Sequence, residues 1–166
     1  MTVLRRVLID GGSGSGKTSF ARRLQARWSQ WSAEPVQLVS LDDCYPGWQG
    51  LAEGSRMCAT DILHPTSPGY RRWDWERSQP ANWVALDPAL PLIVEGCGAL
   101  SRESAPLAQL TVWLQLDQAE RKRRALGRDG DGYAPWWEVW AAQEAEHWRR
   151  NQPWRLATVL LNGNPG

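Results

Sequence analysis

The residues with the clearest capacity for chemistry form a glycine-rich run between an apolar segment and a segment typical of a helix. Residues 11–18, Gly-Gly-Ser-Gly-Ser-Gly-Lys-Thr, match the pattern G-x-x-x-x-G-K-[ST]. Glycines permit positive φ and a close approach of the backbone to a ligand, so successive N–H groups can point at phosphate oxygens. The start of the following helix adds partial positive charge at the same place. We therefore expect this run to bind a nucleoside triphosphate.

Within that run, the lysine is expected to reach the β- and γ-phosphates, and the threonine hydroxyl is expected to hold Mg²⁺. Lys17 is accordingly a predicted catalytic residue, and Thr18 a predicted metal ligand. The predicted nucleotide-binding residues of the run are Gly11, Gly12, Ser13, Gly14, Ser15, Gly16, Lys17, Thr18 and Ser19.

Carboxylates stand at the ends of two further apolar segments. Asp42 and Asp43 follow residues 36–41, and Glu95 follows Leu-Pro-Leu-Ile-Val. A carboxylate placed near a phosphate chain can accept the proton of a substrate hydroxyl, so Asp42 is the predicted base. Asp43 remains the alternative base and, with Tyr45, a predicted substrate-binding residue. Glu95 is a predicted catalytic residue. It is expected to hold either Mg²⁺, through a water molecule bound to the ion, or a substrate hydroxyl.

Three arginines share one face of a predicted helix. Arg121, Arg124 and Arg128 are spaced i, i+3 and i+7, which places them within roughly 60° of arc. Glycines follow this helix and loosen the chain. Clustered guanidinium groups beside such a loop suit a lid that closes over polyphosphate, predicted at about residues 121–133. The alternative is a solvated basic face with no role in chemistry.

Residues 70–75, Tyr-Arg-Arg-Trp-Asp-Trp, combine aromatic and charged side chains. We expect irregular chain here, lying over the site. Tyr70 and Trp73 are predicted substrate-binding residues that, with Trp75, could form an aromatic wall, and Asp74 could bind substrate hydroxyls. Core packing is expected instead for the tryptophans of a later helix, Trp136, Trp137, Trp140 and Trp148.

One spacing on a later helix resembles a metal site. Glu144 and His147 are three residues apart on a helix expected over residues 135–150, and such pairs can hold a metal. Because the sequence lacks a second pair of this kind, a structural role is expected.

The elements that must position these residues alternate between strands and helices. Alternation of this kind predicts an α/β fold with a parallel sheet covered on both faces, whose ligands bind at the carboxyl ends of the strands. The glycine-rich run, Asp42 and Glu95 should therefore converge.

We expect a five-stranded parallel sheet in three layers with a small lid, in a single domain over residues 1–166. Strands are expected at residues 3–10, 36–41, 90–96, 110–116 and 158–161, and helices at 18–31, 51–63, from 117 and at 135–150.

Composition narrows the classes of function. The 166 residues are 42% apolar and 22% charged with a net charge of +1, which is ordinary for a soluble globular protein and gives no bulk attraction to nucleic acid or membranes. The three cysteines lack metal-ligand spacing, which favours a reducing, cytoplasmic setting. No signal peptide or membrane span is predicted, and we expect a monomer or homodimer.

Several of these features occur together in a known order. Residues 11–18, Asp42 with Tyr45, Ile-Val-Glu-Gly at 93–96, and Arg121-x-x-Arg124-x-x-x-Arg128-Asp129 resemble the uridine kinase, nicotinamide riboside kinase and phosphoribulokinase group of P-loop kinases. The sequence is also similar to small actinobacterial ATP-binding proteins. The resemblance spans roughly residues 3–161.

This resemblance implies a P-loop NTPase fold, ATP and Mg²⁺ as cofactors, and Asp42 as the base. It also implies Arg124 and Arg128 as catalytic lid arginines, with Arg124 and Arg155 at the nucleotide. The expected function is transfer of the γ-phosphate of ATP to a hydroxyl of a nucleoside-like or other small polar acceptor. The alternative is a regulatory nucleotide-binding ATPase or switch, and the absence of an [NT]-K-x-D motif disfavours its GTPase form.

Overall fold

The computed structural model describes residues 3–164, and a parallel sheet forms its centre. Across the sheet the strands run in the order β2-β5-β1-β6-β7, and each neighbouring pair is parallel. The five-stranded parallel sheet predicted from the sequence is therefore confirmed. The strands are β1 (Arg6–Gly11), β2 (Gln37–Ser40), β3 (Gly69–Asp74), β4 (Gln79–Ala85), β5 (Leu92–Glu95), β6 (Leu110–Gln115) and β7 (Val159–Asn162).

Successive side chains of each strand point to opposite faces of this sheet. Both faces are therefore apolar, and helices cover each of them. Val7 and Ile9 of β1 pack in a core with Trp28, directly after the first helix. Leu8 packs on the opposite face in a core that includes Trp140. The helices are α1 (Lys17–Arg27), α2 (Leu51–Met57), α3 (Gln118–Asp129), α4 (Trp137–Asn151) and α5 (Pro153–Leu156), with a π-helical turn, Cys58–Ile62, extending α2.

The expectation of irregular chain at residues 70–75 is wrong over most of that range. Strand β3 pairs with β4 in an antiparallel hairpin, with Tyr70 opposite Val84 and Arg71 opposite Trp83. The mixed composition reflects the two-residue period of a half-buried strand. Tyr70 faces the core and is 8% exposed, whereas Arg71 lies outside over the Trp83 ring.

The segment predicted as a lid is mostly regular helix. Helix α3 is followed by a 3₁₀ turn at Gly130–Gly132 and another at Ala134–Trp136, which lead into α4. The N-cap residue of α3, Asp117, makes no side-chain capping hydrogen bond, and the Glu120 carboxylate accepts hydrogen bonds from Arg123 and Arg124.

Within residues 3–164, no helix combines the length and the apolar character needed to cross a membrane.

Candidate active site

The glycine-rich run connects β1 to α1 as a tight loop, which we call the P-loop. Gly14 and Gly16 adopt left-handed backbone conformations, with φ of 80° and 94°. A Cβ atom on Gly14 would lie 2.2 Å from the carbonyl oxygen of Arg121, and one on Gly12 would lie 2.3 Å from its guanidinium group. Glycine is required at position 14, because the loop there rests directly on the backbone of Arg121 and the φ is positive.

The P-loop lysine and threonine face a common cleft. The Lys17 ammonium donates to the carbonyl oxygen of Gly12 at 2.9 Å, and Ser13, Gly14, Gly16 and Ser19 also line this cleft. Of the other predicted nucleotide-binding residues, Gly11, Gly12 and Ser15 are not among the lining residues.

Thr18 and Glu95 form the part of the site that suits a metal ion. The Thr18 hydroxyl donates to Glu95 Oε1 at 3.0 Å, because the register of β1 and β5 sets Ile9 beside Glu95 at the carboxyl ends of the strands. Glu95 is 2% exposed. A hydroxyl and a carboxylate are the hard oxygen donors that Mg²⁺ uses in phosphate sites, so these residues fit the ion that the sequence implied.

Asp42 lines the same cleft as the P-loop and follows β2 in the chain. It occupies the 3₁₀ turn Leu41–Asp43, and solvent reaches its side chain through the open cleft. Burial against the surrounding protein, followed by the charge of Glu95, raises the pKa of Asp42, while Lys17 and Arg128 oppose that rise. Its neighbour Asp43 is exposed and is not among the residues that line the cleft.

The cleft has a volume of about 480 Å³, and an aromatic wall forms its side near Asp42. Trp48 is the centre of this wall, with its ring centroid 5.1 Å from Trp75, 5.3 Å from Tyr133 and 6.4 Å from Trp140. The planes of these three rings meet that of Trp48 at 40° to 86°. Trp136, which is not a lining residue, stacks on Trp48 with its ring centroid 5.7 Å away and an interplanar angle of 6°. The aromatic wall comprises Tyr45, Trp48, Trp75, Tyr133 and Trp140.

Trp75 links this wall to the candidate base, since its indole Nε1 donates to the backbone carbonyl of Asp42 at 2.8 Å. Sequence reasoning missed Trp48 and Tyr133, which stand in loops without a distinguishing pattern. It assigned Trp140 to core packing, and this side chain is indeed 5% exposed while also lining the cleft. Tyr45 lies in the cleft as expected, and its hydroxyl donates to the Cys97 carbonyl at 2.7 Å.

Three predicted substrate-binding residues lie outside the cleft. The prediction of a wall role for Tyr70 is wrong, because the hairpin register places its ring in the core. Trp73 packs near Gly47 and is not a lining residue. Asp74 instead closes the turn of the hairpin, where its carboxylate accepts from the N–H groups of Glu76 and Arg77.

The predicted arginines separate into different environments. Arg128 lines the cleft and pairs with Asp129 at 2.7 Å. Arg124 is not a lining residue and pairs with Glu120 at 2.8 Å. Arg121 is 6% exposed and packs beneath the P-loop, so the idea of one shared lid face is wrong. Arg155 is exposed on α5 and is not a lining residue of the cleft.

Comparisons with known proteins agree with the fold. No family model and no curated protein matches the sequence. Among solved structures, the chain is similar to a protein described as a possible uridine kinase from Bacillus stearothermophilus, at 18% identity and a TM-score of 0.65, with 97% of this chain and 90% of that chain covered.

The chain is also similar to a protein from Silicibacter sp. TM1040 that is provisionally assigned as a fructose transport system kinase. The identity is 16% and the TM-score is 0.62, with 96% of this chain and 90% of that chain covered. Shikimate kinase from Acinetobacter baumannii, in complex with shikimate, gives 16% identity and a TM-score of 0.52, covering 99% and 86%. These likenesses show that the chain has the fold of the P-loop kinases, as the resemblance of its motifs implied.

Proposed function

We propose that this chain is an ATP-dependent small-molecule kinase that transfers the γ-phosphate to a hydroxyl group. The observation that carries the proposal is a single cleft that phosphate-binding and proton-accepting groups line together. Lys17, Thr18 and Glu95 line this cleft together with Asp42, and the Thr18 hydroxyl donates to Glu95. Phosphoryl transfer requires charge neutralisation and a placed nucleophile more than covalent chemistry by the protein.

Each of these groups has a role in the proposed reaction. The P-loop amides and Lys17 bind the triphosphate, and Thr18 and Glu95 would hold Mg²⁺, which neutralises phosphate charge when bound. Asp42 accepts the proton of the acceptor hydroxyl. Arg128 supplies positive charge from the α3 side of the cleft.

The chemistry of the cleft favours an acceptor that has a flat apolar surface and no acid group. The aromatic wall offers apolar surface, including Trp75, which is 38% exposed, and stacking of a nucleobase on an aromatic ring contributes about 1–3 kcal/mol in nucleic-acid complexes. Among the described lining residues, the cations are Lys17 and Arg128. In the proposed reaction both cations act on the phosphates, so no cation is left for an acidic acceptor. A nucleoside-like alcohol fits these features.

The P-loop assignment predicts that nucleotide binding depends on Lys17. Lys17→Ala should abolish turnover and weaken MgATP binding by about 10-fold or more, since it removes a charged hydrogen-bond donor from the phosphates. Titration calorimetry measures the dissociation constant directly. Lys122→Ala is the matched control, because Lys122 is an exposed lysine on α3 that pairs with Glu138. Equal affinity in the Lys17 variant and this control would refute the assignment.

A further inference from the structure

Ser13 of the P-loop is held at each of its polar groups by a different part of the chain. Its backbone N–H donates to Glu144 Oε2 of α4 at 3.0 Å. Its carbonyl oxygen accepts from Arg121 Nη1 of α3 at 3.3 Å. Its hydroxyl accepts from the Tyr133 hydroxyl, between α3 and α4, at 2.9 Å. The two peptide units on either side of the Ser13 Cα are thereby both held in place.

The carboxylate of Glu144 occupies an environment that is costly for a charge. Glu144 is 2% exposed. Burial raises the pKa of its carboxyl group, while the nearby charges of Lys17 and Arg121 oppose that rise. The Arg121 guanidinium lies 3.9 Å away. Well-packed apolar residues often give equal or better stability at such a position, so stability alone does not account for a carboxylate here.

Glu144 and His147 both point inward from the same face of α4, and only the first contacts the P-loop. His147 Nε2 lies 2.8 Å from the carbonyl oxygen of Leu100, and its ring is 3.8 Å from the carboxylate of Asp10. The i, i+3 spacing therefore reflects two buried polar anchors, and no cluster of metal-ligating residues occurs in the part of the chain that the structure describes.

We propose that Glu144 is a positioning residue that, with Arg121, fixes Ser13 and so orders the P-loop before a nucleotide binds. This inference rests on the proposed function, because the ligand it prepares for is a triphosphate. While Ser13 donates to Glu144, its N–H is withheld from phosphate. Holding Ser13 at both its N–H and its carbonyl also constrains the neighbouring glycine, Gly14, which has a φ of 80°. Ordering a loop in advance lowers the cost of binding.

Two substitutions separate the hydrogen bond from the bulk of the side chain. Glu144→Gln retains a carbonyl oxygen that can accept from Ser13, whereas Glu144→Leu has no acceptor. Thr111→Val is the control for loss of a buried hydrogen bond elsewhere in the protein. Thr111 lies on β6, beside Leu8 of β1, and its hydroxyl donates to the carbonyl oxygen of Leu156. By calorimetry, the dissociation constant for MgATP should rise about 10-fold or more in Glu144→Leu and stay within about 3-fold of wild type in Glu144→Gln and Thr111→Val.

Hydrogen exchange in the nucleotide-free protein gives a readout that does not depend on ATP binding. The amides of residues 12–16 should exchange about 10-fold or more faster in Glu144→Leu than in wild type, with little change in Glu144→Gln or Thr111→Val. Unchanged exchange in Glu144→Leu, or equal acceleration in all three variants, would overturn the positioning role. A Glu144→Gln variant as impaired as Glu144→Leu would also overturn it, since the proposal requires only an acceptor.

These readouts keep the two proposals distinct. Should wild-type protein fail to bind MgATP, the proposed function falls, and the exchange measurement still decides whether Glu144 orders the loop. Should wild-type protein bind MgATP through Lys17 while Glu144→Leu binds it equally well, the proposed function stands and the positioning role is refuted.

Discussion

Replacing Asp42 by asparagine should lower phosphoryl transfer by roughly 10²–10⁴-fold, the usual contribution of a general base, while MgATP affinity stays close to that of the wild type. Asparagine retains the size of the side chain but cannot accept the proton of the acceptor hydroxyl. Turnover and affinity should respond differently because Asp42 lines the cleft but is not part of the P-loop that binds the phosphates. Steady-state kinetics give the turnover number, and calorimetry gives the nucleotide dissociation constant.

Asp43→Asn is the matched control and should have little effect, since this adjacent carboxylate is exposed outside the cleft. The pKa of Asp42 is raised by burial and by Glu95, so the base gains its proton at a higher pH than an ordinary aspartate does. Activity should therefore be present above this raised pKa and fall as the pH drops through it. Equal loss of activity in the two asparagine variants would contradict the assignment.

Replacing Arg128 by alanine should lower the turnover number by roughly 10³-fold or more, as arginines that stabilise the charge of phosphoryl transfer can supply 10³–10⁵-fold in rate. Arg128 is on α3 and lines the cleft, and its pairing with Asp129 holds the guanidinium at the cleft edge. Nucleotide affinity should change much less than turnover, since the charge acts chiefly on the transition state.

Arg124→Ala provides the comparison within the same helix. Arg124 is one turn away and pairs with Glu120 outside the cleft, so its removal should leave turnover within about 3-fold of wild type, as expected for an exposed ion pair. A similar turnover number in both alanine variants and the wild type would indicate that Arg124 and Arg128 belong to a solvated basic face.

The sequence allowed prediction of the sheet and of the convergence of three groups in the site. Strand β1, with its continuous apolar run, and the pattern of residues 11–18 depend on local sequence. The meeting of Lys17, Asp42 and Glu95 follows from one rule, because parallel strands end at the same edge of a sheet. The contact between Thr18 and Glu95 is a consequence of that rule.

What could not be predicted depends on contacts between distant parts of the chain. The spacing of Arg121 and Arg128 was consistent with one helix face, yet the first packs beneath the P-loop while the second reaches the cleft. Tyr70 was indistinguishable from a substrate-binding aromatic residue until its strand partner was known. Trp48 packs in the aromatic wall against Trp75, Tyr133 and Trp140. These residues are distant from Trp48 in the sequence and meet it only in the folded chain.

The central claim is that the cleft transfers phosphate from ATP to an acceptor hydroxyl, and the most direct test measures ADP release against acceptor. MgATP would be supplied with nucleosides such as uridine, with sugar acids such as gluconate, or with no acceptor, and ADP and phosphorylated product would be quantified together. We predict ADP release that depends on a nucleoside-like alcohol, matched by an equal amount of phosphorylated acceptor. ADP release at the same rate with and without every acceptor would contradict the claim and identify a regulatory ATPase.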